Sequence, residues 1–451
     1  MGNKVKQRFF IFLILAGDLV VLYFSLWLAL LLRYLKLPSQ KLFQEHFWPF
    51  SLLFIVWLLV FYIADLYGRS FYLGKKKILG LLLKSQLTNS VIAVFFFYLS
   101  TFYDITPKTI LFVDLVASFA LLLLWRLFIG YLLKFGLKKK LVLIGSGAEF
   151  EELAECLAKN DRYGFRVIAK IDSRELSGTW EKNGRKSVEE LIAKNHDLAF
   201  VVDSMEDLPP EVISYFYDRM FLGQEFIDFQ KLYQDIFQYV PLSFVDDKWL
   251  LANISSGRDN LYDLPKRLVD IIFSLVSGLI SLVFYPFIIL AIKINDGGPV
   301  FFVNERIGQK NKVFKQIKFR TMCVNAKASW IKKDDKQITR IGSFLRRTRL
   351  DELPQFWNVL KGDMSFVGPR PDFIEFTGLL ESKIPYYNIR SLIKPGLTGW
   401  AQTQQLLPPR SVEETQKRLA YDIYYIKNRS LFLDITIILQ TIRTVLSTSG
   451  T

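Results

Sequence analysis

Long apolar segments dominate the first third of the chain. They lie at residues 9–32, 47–67, 81–103 and 110–133. Each reaches the roughly 20 residues that a helix needs to cross a bilayer. The N-terminal residues and the loops after the second and fourth segments carry 3, 4 and 4 Lys or Arg, against 3 and 1 in the other two loops. The pattern therefore predicts four membrane helices with both ends of the block in the cytoplasm.

Two charged residues interrupt these apolar segments. Asp18 in the first and Arg126 in the fourth lie ~10–14 Å from the cytoplasmic helix ends at ~1.5 Å rise per residue. An unpaired charge at that depth costs several kcal/mol, so we expect an ion pair between the two helices. The alternative is that each side chain snorkels to the nearer interface.

After the basic run that ends at residue 140, the hydrophobic pattern changes to that of a strand, a glycine turn and a helix. Further strand-like runs at 165–171 and 197–202 predict an α/β domain of Rossmann type over about 141–230. Gly145 and Gly147 match the first two glycines of a dinucleotide fingerprint, but Phe150 occupies the third position, where its bulk would push the helix off the strand. A structural or regulatory module is favoured over nucleotide binding.

Residues 231–261 mix aromatic and turn residues, which suits a linker. A fifth apolar stretch follows at about 266–294, and Pro286 inside it breaks the helical hydrogen-bond ladder. If this stretch spanned the membrane, the strongly basic region 305–349, with 14 Lys or Arg against 3 Asp or Glu, would lie outside the cytoplasm. The pattern favours a re-entrant helix that bends at Pro286 and returns.

The strongest candidate chemistry is the pair Asp351 and Glu352, which follows three arginines and precedes Pro354 and an apolar helical pattern. Because proline is tolerated in the first helical turn, we expect both carboxylates at a helix N-terminus. That place suits an ionised carboxylate, a phosphate and a divalent cation together. The alternative is an N-cap acid beside a solvated basic face.

Basic residues interleave with apolar ones just upstream, including Lys318 and Arg320. This run is typical either of a diphosphate clamp or of a face on a membrane surface. A nucleic-acid partner is the other reading of such charge, and four membrane spans argue against it. Downstream, Gly396 and Gly399 predict a tight loop whose backbone N–H groups approach a ligand.

Composition narrows the possible partners and the possible kinds of site. Hydrophobic residues make up 51% of the 451 residues, and the net charge of +15 favours anionic lipid or phosphorylated partners. The two cysteines, Cys156 and Cys323, lie far apart, which argues against a disulfide framework. The only histidines are His46 and His196, so a Ser-His-Asp triad or a His-ligated metal site in the last 250 residues is excluded.

A series of motifs in the last 190 residues carries a resemblance. They are KRLVDIIFSLV, GGPVFFVNERIG, FKQIKFRTM, DELPQFWNVLKGDMSFVGPRP, KPGLTGWAQ and YDIYYIKNRSLFLDI. Together, over about 264–451, they resemble the bacterial sugar transferases, which are polyprenyl-phosphate hexose-1-phosphate transferases. The four N-terminal spans and the inserted α/β domain resemble the long form, such as undecaprenyl-phosphate glucose or galactose phosphotransferases. One departure is Tyr285, where the family usually has serine before the proline of its helix break.

The resemblance implies transfer of a hexose 1-phosphate from a UDP-sugar to undecaprenyl phosphate, with release of UMP, as the first membrane step of exopolysaccharide, capsule or O-antigen synthesis. It implies that Asp351 is the nucleophile that holds the phosphosugar and that Glu352, with Asp351, associates with Mg²⁺. Phosphate or substrate contacts are expected from Lys318, Arg320, Gly368, Arg370, Gly396, Thr398 and Gly399. It also implies a homodimer in the bacterial inner membrane, with the catalytic domain on the cytoplasmic face.

The expected fold is thus a four-helix transmembrane bundle (1–140), a Rossmann-like cytoplasmic domain (141–230), a linker (231–261) and a monotopic, mostly helical catalytic domain (262–451). Two other functions remain open. A membrane-bound nucleotide-sugar dehydratase or epimerase would need an intact glycine fingerprint and a Tyr-xxx-Lys pair in the α/β domain. A non-catalytic scaffold for polysaccharide assembly would tolerate replacement of Asp351.

Overall fold

The computed structural model describes most of the chain. The described residues are 2–64, 66–67, 75–99, 108–135, 139–160, 163–180, 184–195, 198–204, 208–254, 260–323, 337–405, 407, 409 and 411–446. They form two compact units, which divide between Asp235 and Ile236. Residues 100–103 of the third expected span, the loop 68–74 and the basic stretch 324–336 lie outside the described residues.

The first unit opens with four long helices: α1 Gly2–Tyr34, α2 Gln40–Ile63, α3 Lys75–Leu99 and α4 Lys108–Phe135. Each contains an apolar stretch long enough to cross a membrane, which confirms the four predicted spans. Their inward faces form a core that includes Leu22, Phe54 and Trp57. The orientation of the bundle stays a prediction from the charge bias of its loops.

The predicted pairing of Asp18 with Arg126 is confirmed. The Arg126 guanidinium forms an ion pair with the Asp18 carboxylate, and both side chains are fully buried between α1 and α4. The Tyr67 hydroxyl donates to Asp18 Oδ2 at 2.7 Å, and Arg126 Nη1 donates to the Leu66 carbonyl at 2.8 Å. Both charges are therefore solvated by protein groups instead of snorkelling to the interface.

Breaking this pair on one side is expected to destabilise the bundle by roughly 3–5 kcal/mol, because the remaining charge stays buried without its counter-ion. Asp18→Asn should therefore lower the unfolding midpoint in detergent, followed by the loss of the monodisperse peak in size-exclusion chromatography after heating. Asp18→Leu combined with Arg126→Leu should recover most of the loss. Equal midpoints for Asp18→Asn and the parent protein would contradict the importance of the pair.

The α/β part of the first unit is a four-stranded sheet. Its strands are β1 Lys139–Gly145, β2 Phe165–Asp172, β3 Leu198–Val202 and β4 Glu225–Asp228. They are parallel, in the order β2-β1-β3-β4. The intervening helices are α5 Ala148–Lys159, α6 Ser173–Thr179, α7 Arg185–Lys194 and α8 Pro210–Phe221. The predicted alternation of strands and helices is confirmed, and the assignment to the Rossmann type stays a prediction.

Phe150, at the third fingerprint position, is fully buried. Its ring lies against Gly145, so that a Cβ on that glycine would come within 2.7 Å of the ring. The bulk of Phe150 is accommodated because Gly145 has no side chain. The ring therefore fills the place between strand and helix where the fingerprint has its third glycine, which keeps the domain's role structural or regulatory in our interpretation.

The stretch expected to be a linker is largely folded. It continues from α9 Phe229–Phe237 to α10 Asp247–Asn253. Val240, Val245 and Trp249 are buried in the core of the second unit. The apolar and aromatic residues of this stretch therefore pack in that core. The turn residues between them made the stretch look like a linker in the sequence. Residues 255–259 are not described.

The second unit begins with the broken apolar helix. Its parts are α11 Asn260–Leu282 and α12 Tyr285–Asp296, bent by 56° relative to each other. The break falls at residues 283–284, so Pro286 lies in the first turn of α12, where its missing N–H costs nothing, and not at the bend itself. The predicted interruption is confirmed, and its re-entrant course stays a prediction.

In the described part of this unit, two small sheets and six further α-helices follow. β5 Phe301–Ile307 pairs antiparallel with β6 Val313–Phe319, and β7 Ser365–Val367 pairs parallel with β8 Gly396–Thr398. The helices are α13 Arg340–Thr348, α14 Gln355–Lys361, α15 Ile374–Lys383, α16 Trp400–Gln404, α17 Val412–Asn428 and α18 Leu431–Leu446. The end of β6, the turn before α14 and the loop after β7 converge on the candidate site.

Candidate active site

Asp351 and Glu352 lie in a short 3-10 turn between α13 and α14. Arg349 ends α13 in the left-handed conformation (φ 60°), and Pro354 is the residue that precedes α14. The two carboxylates were expected at a helix N-terminus, but they precede the first helical residue, Gln355, by three or four positions. The left-handed Arg349 separates α13 from this turn, so the two carboxylates lie between the two helices and not in the first turn of α14.

Glu352 is surrounded by three cations. Its Oε1 atom lies 2.7 Å from Arg370 Nη2, 3.4 Å from Lys318 Nζ and 3.7 Å from Arg349 Nη1. Burial opposes ionisation of Glu352, but the charges of Arg370, then Lys318 and Arg349, outweigh it and hold its pKa well below the usual range. Glu352 is therefore a permanent carboxylate that fixes the positions of Lys318 and Arg370.

Asp351 has the opposite environment. Its side chain is buried, and its Oδ1 atom makes no hydrogen bond with any residue that the structure describes. Burial, and then the neighbouring charge of Glu352, raise its pKa to about 6, although Lys318, Arg370 and Arg346 act against the rise. A buried carboxylate oxygen without a partner beside several cations is typical of a reacting group and unusual for a structural one.

Positive charge around the two carboxylates is only partly neutralised. Burial lowers the pKa of Lys318 to about 8, against the effect of Glu352. Burial, and then the charge of Arg370, lower the pKa of Arg306 to about 9. With Arg346 and Arg349 nearby, cations outnumber carboxylates, and such a cluster favours binding of a further anion such as a diphosphate.

Arg390 positions the loop that carries Arg370, a role that the sequence analysis did not predict. Its Nη2 donates to the Arg370 carbonyl at 2.9 Å, and its Nε donates to Asp422 Oδ2 at 2.8 Å. A second ion pair joins it to Asp372, and its Nη1 donates to the Tyr387 hydroxyl at 2.6 Å. In the sequence, the one signal for a buried role of Arg390 is its place beside apolar residues.

Arg306 supports the same loop from the other side. It lies on β5, inside the NERIG motif, and donates through Nη1 to the Pro371 carbonyl at 3.3 Å. Its guanidinium carbon sits 3.2 Å from the centroid of the Phe373 ring. The backbone N–H of Ile307 donates to the Asp372 carbonyl at 3.2 Å. The sequence analysis missed Arg306 because its partners lie more than 60 residues away.

Two of the three expected glycines, Gly368 and Gly396, use their backbone N–H groups within the protein. Gly368 donates its N–H to the Thr398 carbonyl, and Gly396 donates to the Pro369 carbonyl, both at 2.8 Å. A Cβ on Gly368, Gly396 or Gly399 would collide with backbone of the facing loop. The Thr398 hydroxyl is paired with that of Thr441 at 2.6 Å. These four residues hold two loops together, because only glycine allows such close backbone approach.

Lys318 and Arg370 are brought together on Glu352, but Arg320 is not. Its guanidinium lies over Gly298, in the turn after α12, where a Cβ would overlap it. Its backbone N–H donates to the Val300 carbonyl at 2.9 Å. Arg320 therefore lies against the turn that joins α12 to β5, and of the three cations expected near phosphate only Lys318 and Arg370 lie at Glu352.

The residues present fit a magnesium ion. Mg²⁺ prefers oxygen ligands and is usually bound through one or two carboxylates together with substrate phosphates and water. Asp351 and Glu352 supply adjacent carboxylates, and Asp351 Oδ1 is free of protein partners among the described residues. Among the described residues, no group of three or more His, Cys, Asp or Glu is placed to hold a metal ion.

Activity is expected to depend on pH through Asp351 and Lys318. The rate constant kcat/KM should rise as pH increases through about 6, because Asp351 loses its proton, and fall above about 8, because Lys318 loses its charge. Lys318→Arg should keep the acidic limb and remove the alkaline one, since guanidinium stays charged. A profile that is flat between pH 5 and 9 (roughly the range that such groups cover) would contradict both assignments.

Comparison with known proteins supports the family resemblance found in the sequence. Residues 261–448 match the family model described as bacterial sugar transferase. Over 393 residues the chain is 30% identical to the UDP-glucose:undecaprenyl-phosphate glucose-1-phosphate transferase of Klebsiella pneumoniae, with 80% of each chain covered. It is 30% identical over 344 residues to the UDP-galactose-lipid carrier transferase of Erwinia amylovora, with 69% of each covered.

A more similar relative matches a shorter region. The UDP-N-acetylgalactosamine-undecaprenyl-phosphate N-acetylgalactosaminephosphotransferase of Aeromonas hydrophila is 40% identical over 197 residues, which is 42% of this chain and 45% of that protein. The fold and site define a protein with four helices that could cross a membrane and with two carboxylates surrounded by cations. The chain belongs to the bacterial sugar transferase family. This membership favours the transferase over the dehydratase and the scaffold.

Proposed function

We propose that the protein transfers a hexose 1-phosphate from a UDP-sugar to undecaprenyl phosphate and releases UMP. The observation that carries the proposal is the buried Asp351 oxygen without a partner, next to Lys318 and Arg370. The names of the relatives from Klebsiella pneumoniae and Erwinia amylovora, which specify UDP-sugars as donors or a lipid carrier as acceptor, support the substrate classes.

In the first step, an Asp351 carboxylate oxygen attacks the phosphorus that bears the sugar. The bond from that phosphorus to the bridging oxygen of the diphosphate breaks, and UMP leaves with the electron pair. In the second step, a phosphate oxygen of undecaprenyl phosphate attacks the same phosphorus, and Asp351 leaves as carboxylate. Splitting the transfer in two predicts ping-pong kinetics.

The cations make attack by one anion on another possible. Lys318 and Arg370, held by Glu352, would bind the diphosphate and stabilise the charge that develops on departing UMP. The raised pKa of Asp351 makes its carboxylate a better nucleophile while leaving it mostly ionised at neutral pH. Glu352, with its depressed pKa, keeps its charge throughout.

Mg²⁺ bound at Glu352 and Asp351 would neutralise phosphate charge during the transfer. Glu352 would hold the ion beside the donor diphosphate, and the remaining ligands would come from substrate and water. Asp351 can act both as nucleophile and as Mg²⁺ ligand because its carboxylate has two oxygens.

The broken helix supports a position of this chemistry at a membrane surface. α11 exposes apolar side chains such as Leu268, Ile272 and Leu279, and α12 exposes Phe287 and Leu290. A re-entrant course through one leaflet would return the chain to the side it left and hold the site at the height of the lipid phosphate. On this proposal the site faces the cytoplasm of a bacterium, the enzyme acts in the inner membrane as a homodimer, and it begins the synthesis of a surface polysaccharide.

The decisive assay measures UMP release by the purified full chain in nanodiscs with undecaprenyl phosphate, Mg²⁺ and a panel of UDP-sugars. UMP from one sugar, with the label of that sugar appearing in the lipid fraction, is the expected result. UMP must fall to background when either the lipid acceptor or Mg²⁺ is removed under multiple-turnover conditions. If folded protein released UMP from no UDP-sugar in the panel, the proposed donor class would be wrong.

A further inference from the structure

An apolar surface in the α/β part of the first unit has no role in the proposed function. It consists of large exposed side chains on α8 and the turn after it, namely Ile213, Tyr217, Met220, Phe221 and Leu222. Phe221 is 71% exposed and Leu222 is 75% exposed. Among the described residues from Lys139 to Phe237, every exposed large apolar side chain belongs to this set, which we call the α8 apolar surface.

The opposite face of α8 explains why the surface is not simply part of the core. Val212, Tyr215 and Phe216 are buried against the sheet, so the helix already has a complete inward face. The rings of Tyr217 and Phe221 meet edge to face with 4.9 Å between their centroids, and both are exposed on the side away from that core. A second apolar face on an amphipathic helix is typical of a contact with something outside the domain.

Topology places the turn after α8 at a particular edge of the sheet. Because β3 and β4 are parallel, α8 runs back between them and ends at the edge where the strands begin. The Gln224 side chain donates to the Leu198 carbonyl at the start of β3, and Glu225 forms an ion pair with Lys139 at the start of β1. Phe221 and Leu222 therefore lie at the edge of the sheet where β1 begins.

That edge is tied closely to the membrane bundle. The last membrane helix, α4, ends at Phe135, and β1 begins at Lys139. Four residues of fully extended chain span at most about 14 Å. The edge that carries the apolar turn is thus held within a short distance of the end of α4, a helix that is long and apolar enough to cross a membrane.

Basic side chains lie along this edge. The helices that end there carry a basic residue in the last turn, namely Lys159 in α5, Lys194 in α7 and Arg219 in α8. Each pairs with a glutamate one turn away or on a neighbouring helix, and Lys159 and Lys194 remain largely exposed, so their ammonium groups can also contact lipid headgroups. Apolar side chains flanked by lysine and arginine are the composition of surfaces that bind at the headgroup boundary.

We propose that the α8 apolar surface inserts into the headgroup region of the membrane and holds the α/β domain against the lipid. Met220, Phe221 and Leu222 enter the boundary of the acyl chains, and the basic helix ends contact the headgroups. The domain is then a further membrane contact of the chain, besides the four-helix bundle and the broken helix, with its position fixed at both α4 and α8. A second copy of the chain on the same surface is the competing occupant.

The test uses the full chain with Cys156→Ser and Cys323→Ser, labelled with an environment-sensitive fluorophore at Phe221→Cys. The protein is placed in nanodiscs that contain anionic lipid, with and without lipid spin-labelled near the headgroup. The label at position 221 should lose most of its emission when the spin-labelled lipid is present. The matched control is Arg174→Cys, an exposed position just after the opposite end of β2, whose emission should not change.

The competing occupant gives a different result. A label at Phe221→Cys that is shielded by a second copy would show energy transfer between donor- and acceptor-labelled copies and no quenching by spin-labelled lipid. That outcome overturns the proposal, as does equal quenching at positions 221 and 174. With the label moved to Tyr217→Cys, adding Leu222→Asp should reduce lipid quenching, and unchanged quenching would also contradict insertion of this surface.

Discussion

Asp351→Asn is expected to reduce UMP release by at least roughly 10³-fold, because the variant removes the proposed nucleophile and not a binding contact. Asparagine has nearly the same shape, so the pocket keeps its size. The measurement is multiple-turnover UMP release in nanodiscs with the UDP-sugar that the wild-type enzyme accepts. Glu375→Gln, an exposed acid on α15, is the matched control and should retain full activity.

The loss should come without unfolding. Asp351 is destabilised as a carboxylate by burial and by Glu352, and its Oδ1 atom has no partner among the described residues. Neutralising it removes that cost, so we expect Asp351→Asn to be at least as resistant to heat as the parent protein. A clear fall in the unfolding midpoint would mean that Asp351 has a structural role.

A single-turnover experiment separates the nucleophile from other roles. Wild-type enzyme given UDP-sugar labelled in the sugar, without lipid acceptor, should become labelled, release an equal amount of UMP, and pass the label to undecaprenyl phosphate added later. Asp351→Asn should acquire no label. Labelled Asp351→Asn protein would show that another residue carries the phosphosugar, even if the overall transfer stands.

Features that depend on local pattern could be predicted from the sequence. The four spans follow from apolar length, and the Asp18–Arg126 pair follows from the cost of two charges at similar depth. The family resemblance implied phosphate contacts for Lys318 and Arg370, but their meeting at Glu352 was not predicted, since 52 residues separate the two cations. Nothing local to either residue specifies that their loops converge.

Features that depend on backbone detail could not be predicted. The left-handed Arg349 inserts a 3-10 turn before α14, so a helix start inferred from Pro354 fell too early. Gly396 and Gly399 were read as ligand contacts, but their missing side chains serve the close approach of two loops. Glycine permits both uses equally, and the choice between them is made by the facing loop.

Arg390→Ala is expected to be the most destabilising single substitution in the second unit. The Arg390 side chain is 6% exposed, and its loss leaves Asp422, which is 2% exposed, and Asp372 without their shared cation. Removing one partner of a buried ion pair costs about 3–5 kcal/mol. The Arg370 carbonyl would also lose its donor, so the clamp on Glu352 should loosen. The unfolding midpoint in detergent measures the first effect.

The conservative variant distinguishes charge from geometry. Arg390→Lys keeps a positive charge but cannot contact Asp372, Asp422 and the Arg370 carbonyl at once, because an ammonium lacks the planar fork of the guanidinium. We therefore expect the unfolding midpoint of Arg390→Lys to lie between those of the wild type and Arg390→Ala. The loss of kcat/KM, measured on protein that is still folded, should be larger than this loss of stability alone would cause. Lys383→Ala, an exposed substitution on α15, should change neither quantity. If Arg390→Lys matched the wild type in both, charge alone would hold the loop, and the fork that aligns Arg370 would have no function.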